Sequence, residues 1–134
     1  MAFVLDASIA ACWLLPDETH DVATAALDLL AHEPAIAPTI WWYEMRNVLL
    51  SCERRRRFGV DRTEAALSVL AGLPITIEPV TDGLGVLELA RRHRLSAYDA
   101  TYLALARHRR FALATLDGAL ATAAQAEQVT LIGA

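Results

Sequence analysis

Five short apolar runs, each separated from the next by a stretch with helical spacing, set the main limit on what this chain can fold into. They are Phe3-Val4-Leu5, Ala35-Ile36-Ala37, Leu73 to Glu78, Phe111 to Thr115 and Val129 to Ile132. Runs this short read as strands, and a run of three or four consecutive apolar residues suits a strand buried on both faces, the pattern of a parallel sheet. The intervening spacing predicts helices over 8–15, 21–32, 39–58, 61–71, 81–93, 97–108 and 118–127. Alternation of this kind predicts an α/β fold, a three-layer α/β/α sandwich around a mainly parallel five-stranded sheet. No repeat, linker or low-complexity tract breaks the 134 residues, so one domain over 1–134 is expected. At the helix ends, Pro16 is expected to stop the first helix, Thr39 to cap the third and Gly59 to close it. Asp61, with Glu64 at capping-box spacing, is expected to cap the fourth, and Ser96 the sixth.

At 55% hydrophobic residues and a mean hydropathy of +0.33, the composition invites a membrane reading. The positions argue against it, because Ala, Leu and Val are broken by charge every few residues and no run approaches the roughly 20 that a spanning helix needs. No basic segment precedes the first apolar run and Asp6 interrupts it, so a signal peptide is not expected and the chain reads as a soluble cytoplasmic protein. Cys12 and Cys52 lie far apart without a C-x-x-C and are expected to be reduced core thiols. His20, His32, His93 and His108 lack the i, i+4 pairing of helical metal motifs and read mostly as surface residues. The net charge of −4 argues against a nucleic-acid partner, but all 12 basic residues are arginines, several of them clustered. The absence of lysine weighs against a receiver-like phosphotransfer domain or an aspartate-nucleophile phosphatase, both of which pair their acids with a lysine. The six glycines are dispersed, without the phosphate-cradling fingerprints.

Most of the 16 acids fall on polar faces, but four sit in apolar company. Asp6 and Asp117 end apolar strands, Glu44 follows Trp41-Trp42-Tyr43 on a helix, and Asp99 lies within an Ala/Leu helix. An ionised carboxylate removed from water requires a cap, an arginine or a cation. Each acid alone is explained by capping or by an arginine, and Asp6 in particular precedes a helix that it is placed to cap. Taken together they point elsewhere. At the carboxyl edge of one sheet they would lie about 5 Å apart, repelling by about 3 kcal/mol per pair at an effective dielectric near 20. Hard oxygen ligands without His or Cys suit Mg²⁺ or Mn²⁺, the ions of one- and two-metal phosphodiester hydrolysis. Ser8, Asn47 and Thr115 lie two or three residues from an acid, as caps and strand-end hydroxyls or as groups that orient a carboxylate.

The fragments Val4-Leu5-Asp6-Ala7-Ser8, Pro38 through Glu44-Met45-Arg46-Asn47-Val48-Leu49, Leu95-Ser96-Ala97-Tyr98-Asp99-Ala100 through Leu103-Ala104, and Thr115-Leu116-Asp117, in this order, resemble the PIN-domain ribonucleases, in particular the VapC-type toxins of bacterial toxin–antitoxin pairs. The resemblance spans the whole chain. It implies a PIN-like sandwich and a Mg²⁺- or Mn²⁺-dependent endoribonuclease, with Asp6, Glu44, Asp99 and Asp117 as catalytic metal ligands and Ser8, Asn47 and Thr115 in support. It further implies an RNA substrate such as tRNA, a cognate VapB-type antitoxin and a homodimer. A catalytically silent PIN-like module that holds RNA or protein is the alternative. Arg54 to Arg57 read either as a phosphate grip or as a solvated helix end favoured by the helix dipole. Trp41-Trp42-Tyr43 read as base-stacking residues or as core and dimer packing.

Overall fold

The computed structural model describes residues 1–15 and 17–133. Its elements run β1 (Phe3–Leu5), α1 (Ala7–Leu14), α2 (Asp21–Leu30), β2 (Ala35–Ala37), α3 (Thr39–Arg54), α4 (Val60–Ala71), β3 (Ile75–Ile77), α5 (Gly83–His93), α6 (Ala97–Arg109), β4 (Ala112–Ala114) and α7 (Gly118–Ala126). The strands pair in parallel in the order β3-β2-β1-β4, with Phe3 opposite both Ala35 and Ala112. β1 and β2 are buried on both faces, as their unbroken apolar runs predict, while β3 at the sheet edge leaves Thr76 exposed.

This order places the site. The connections β1→β2 and β2→β3 step one way across the sheet and β3→β4 steps back, so right-handed crossovers put α1 to α4 on one face and α5 and α6 on the other. The contacts agree: α1 packs on α2 and α3, while α6 packs on α5, α7 and β1. β1 and β4 are neighbours whose chains leave toward opposite faces, and the crevice at their carboxyl ends is the switch point where open α/β sheets bind ligands. Asp6 follows β1 there, and Thr115 and Asp117 follow β4.

The architecture is the expected parallel-sheet sandwich, with differences at its margins. The expected fifth strand is a single rung, Leu113 opposite Leu131 in parallel, with two hydrogen bonds: Leu113 N–H to the Thr130 carbonyl at 2.8 Å and Ile132 N–H to the Leu113 carbonyl at 3.0 Å. The chain turns through positive φ at Gln128 and Gly133, leaving no length for a longer ladder. Helix α3 stops at Arg54, before the expected 58. Arg56 takes the left-handed conformation at φ 57°, and the amides of Arg56 and Arg57 close the helix onto the carbonyls of Glu53 and Cys52. Gly59 therefore does not close α3; it occupies the N-cap position of α4, and Asp61 falls in that helix's first turn. Thr39 is the first helical residue of α3 behind Pro38, with no capping bond. Ser96 does cap α6, accepting the Asp99 amide at 3.1 Å. The expected stop at Pro16 lies outside the described residues. Cys12 and Cys52 are buried free thiols. Among the described residues no helix is long and apolar enough to cross a membrane.

Candidate functional site

Asp6 occupies the N-cap position of α1, yet its carboxylate makes no capping bond there. Its Oδ2 instead accepts the hydroxyls of Ser8 and Thr115, each at 2.7 Å. Both hydroxyls have a defined orientation, because Ser8 Oγ also accepts the Leu116 amide at 3.0 Å and Thr115 Oγ1 the Asp117 amide at 3.0 Å. These bonds tie the β1–α1 turn to the β4–α7 turn and hold Asp6 in place, 5% exposed. Burial pushes its carboxyl above the ordinary range; the two hydroxyls and the Ala7 amide oppose this, and the charge of Asp117 adds to it.

Asp117 realises both of its sequence readings. Its Oδ1 caps α7 by accepting the amides of Ala119 at 2.9 Å and Leu120 at 3.3 Å, while its charge raises the pKa of both Asp6 and Asp99. Asp99 sits in the first turn of α6, brought there by the Ser96 cap. Its carboxyl is raised by partial burial first, then by Asp117 and Asp6, against a lowering contribution from the Ser96 hydroxyl. Glu44 reaches in from α3, half-buried, and its Oε1 accepts the hydroxyl of Tyr102 at 2.5 Å. Burial raises its carboxyl most, Asp6 and Asp99 raise it further, and the Tyr102 bond lowers it. Carboxylates from four separate segments thus act on one another through space.

Charge compensation is missing here. Among the described residues, no ion pair includes Asp6, Glu44, Asp99 or Asp117; the arginines that pair do so with Glu18, Glu78, Glu88 and Glu127. The donor set is all oxygen, and in Asp6, Glu44 and Asp117 the recorded side-chain and capping bonds fall on one carboxylate oxygen only. That chemistry fits a hard divalent cation that takes one oxygen from each of a few carboxylates and keeps water as its remaining ligands. The fit does not extend to a closed cage, since among the described residues no three His, Cys, Asp or Glu side chains stand grouped to hold an ion. A cavity of about 330 Å³ lies elsewhere, lined by Glu78 to Asp82, His108 and Arg109, and contains none of the four acids.

The other singled-out residues divide. Asn47 is exposed in a groove with Ala11, Glu18, Ser51 and Arg55, and no hydrogen bond among the described residues joins it to the acids. Arg54 to Arg57 are all exposed, with Arg54 in the last turn of α3. The aromatic triplet splits around α3, with Trp41 buried, Trp42 and Tyr43 exposed, and the Arg46 guanidinium 3.3 Å from the Trp42 ring centre. Tyr102 was not anticipated from sequence. Its signal was a tyrosine one turn beyond Asp99 in a helix rich in Ala and Leu, where a buried phenol needs a partner.

The PIN domain model matches residues 3–126. The chain is 36% identical over 124 residues to ribonuclease VapC9 of Mycobacterium tuberculosis, covering 92% of each. Among solved structures it is similar to Mycobacterium tuberculosis VapC20, described as a sarcin–ricin-loop-cleaving toxin, with a TM-score of 0.65 at 22% identity over 90% of this chain and 94% of that one. It also resembles a chain of a toxin–antitoxin complex from Klebsiella pneumoniae, with a TM-score of 0.55 at 23% identity over 83% and 82% of the two chains. At those identities the solved structures speak for the fold, and the full-length likeness to VapC9 speaks for the family. By that likeness and by the domain match over residues 3–126, this chain belongs to the PIN-domain family of VapC ribonucleases.

Proposed function

We propose that the chain is a Mg²⁺- or Mn²⁺-dependent endoribonuclease and the toxin of a type II toxin–antitoxin module, formed by one PIN domain over 1–134. The observation that carries this reading is the set of four acids at the β1/β4 switch point, mutually repelling and without an arginine partner among the described residues. In this reading Asp6, Glu44, Asp99 and Asp117 hold the ion through their oxygens, Ser8 and Thr115 orient Asp6, and Asn47 is at most peripheral. A bound divalent ion would supply positive charge for a phosphate oxygen and increase the acidity of a water. The protein's part is to hold the carboxylates in place at the switch point, where a bound ion would favour their charged form.

The likeness to named VapC ribonucleases and to a toxin–antitoxin complex supports an RNA substrate, tRNA among the candidates, and a VapB-type antitoxin as partner. Trp42, Tyr43 and Leu50, exposed on α3, offer apolar surface for a homodimer. The exposed Arg54 to Arg56 are available to phosphate, while Arg57 pairs with Glu18, and the proposed RNA substrate goes with a cytoplasmic setting. The alternative, a silent RNA- or protein-binding module, is favoured by one observation, that among the described residues no three potential ligands stand grouped to hold an ion. One experiment separates the two: cleavage of a labelled RNA with Mg²⁺ or Mn²⁺ by wild type, Asp6→Asn and Asp99→Asn. The expected result is metal-dependent cutting that each variant loses by about 100-fold or more. Undiminished cutting by both variants, or no cutting by wild type with either ion, overturns the proposal.

A further inference from the structure

Tyr102 is fully buried, and its hydroxyl reaches from α6 to α3, 58 residues away in sequence, to donate to Oε1 of Glu44 at 2.5 Å. It stands at i+3 from Asp99, so one face of α6 carries both an acid of the candidate site and the donor that holds a second acid. From this geometry we infer that Tyr102 is a positioning residue for Glu44, directing one carboxylate oxygen inward and leaving Oε2 for a divalent cation. The inference rests on the reading of the four acids as a metal site.

The bond constrains both partners. The phenol oxygen is also met by the Ala7 amide, but a phenol has one proton to donate, so with Tyr102 at 0% exposed, rotating the carboxylate away would take the recorded acceptor from that proton. Among the described residues no arginine pairs with Glu44, and its side chain is long, so without Tyr102 it samples more rotamers than a shorter acid would. The same device recurs nearby. Oδ2 of Asp6 is held by two hydroxyls and Oδ1 of Asp117 by two amides, so three of the four acids are each anchored through a single oxygen. Glu44 differs in being anchored by one long-range side chain alone, and Tyr102 is therefore the contact whose loss frees a complete ligand.

Mn²⁺ binding to the full-length protein without RNA, measured by electron paramagnetic resonance, tests this. Tyr102→Phe keeps the ring and removes the hydroxyl, and should weaken Mn²⁺ affinity by about tenfold to a hundredfold, the range for partners that orient a metal ligand. Acting through Glu44, it should add less than about twofold in a Glu44→Gln background, a non-additivity that a purely structural role would not produce. Glu44→Asp, which withdraws the acid from the phenol and leaves Tyr102 in the core, should reproduce the weakening if Tyr102→Phe does not fold. Wild-type affinity in Tyr102→Phe or Glu44→Asp, or equal effects of Tyr102→Phe in both backgrounds, overturns the role of Tyr102 while Asp6→Asn still abolishes binding. Wild-type affinity in Asp6→Asn overturns the metal reading itself, and the inference with it.

Discussion

At the carboxyl edge of the sheet four carboxylates crowd one another, whereas at the end of α7 a single carboxylate, Glu127, is crowded by cations. Its side chain, 9% exposed, accepts from His93 Nε2 at 2.6 Å and Arg92 at 2.9 Å, with Arg107 at 3.5 Å. The His93 and Arg92 bonds hold the Glu127 carboxyl below its ordinary range, while burial holds Asp6, Glu44 and Asp99 above theirs. The same side-chain chemistry is thus treated in opposite ways. Around Glu127 the chain supplies its own counter-charge and joins α5, α6 and the end of α7. At the switch point it supplies hydroxyls, amides and a phenol, which orient carboxylates without neutralising them. A clasp that is already neutralised has no need of a ligand, whereas an oriented and uncompensated cluster invites a cation. His93, one of four histidines that read mostly as surface residues, belongs to the clasp.

The contrast breaks most visibly in stability without metal. A carboxyl with a raised folded pKa contributes stability that is complete below its unfolded value and lost as pH rises through the folded one. Glu127, with a lowered folded pKa, contributes stability that is present above its unfolded value and lost as pH falls through the folded one. At pH 7 in EDTA, Glu127→Ala should lower Tm by about 5 °C or more, whereas Asp6→Asn, which removes a buried charge, should raise it. The Asp6→Asn gain should shrink as the pH is lowered into the carboxylate range, and differential scanning calorimetry across pH 4 to 8 (about the span over which carboxylates and histidines titrate) reads both slopes. Equal losses for the two variants would mean that Asp6 is compensated after all.

A second comparison, within the cluster, concerns Thr115 and Asn47. Thr115→Val keeps the shape but removes a donor to Asp6 and the acceptor of the Asp117 amide. It should slow RNA cleavage by about tenfold to a hundredfold. Denaturant unfolding should show a cost of about 1–3 kcal/mol for the unpartnered groups. Wild-type cleavage would remove Thr115 from the site. Asn47→Ala should have the smallest effect, within about 0.5 kcal/mol in stability and near wild type in cleavage, because Asn47 is exposed and unbonded to the acids. A large loss of cleavage would place Asn47 in the site, where its spacing from Glu44 first suggested it.

Some of this was legible along the chain because the forces involved are local. Burial on both faces made the Phe3-Val4-Leu5 run a strand, helical periodicity marked the seven helices, and Ser96 capped α6 through a bond spanning three residues. The four acids stood out for their apolar neighbours, which sequence order displays directly. Helix ends were less legible. Arg56 adopts the left-handed turn expected of glycine, with two closing hydrogen bonds from the Arg56 and Arg57 amides to offset its steric cost.

Tertiary structure alone decided how the acids are handled. The bond from Thr115 to Asp6 spans 109 residues and that from Tyr102 to Glu44 spans 58, distances over which no periodicity speaks. Whether arginines met acids depended on which helix ends the crossovers brought together, and they brought Arg92 and Arg107 to Glu127. The residue types and their local order come from the chain itself. Which of its charges are neutralised is settled by packing, because Coulomb energy depends on separation in space and not along the sequence.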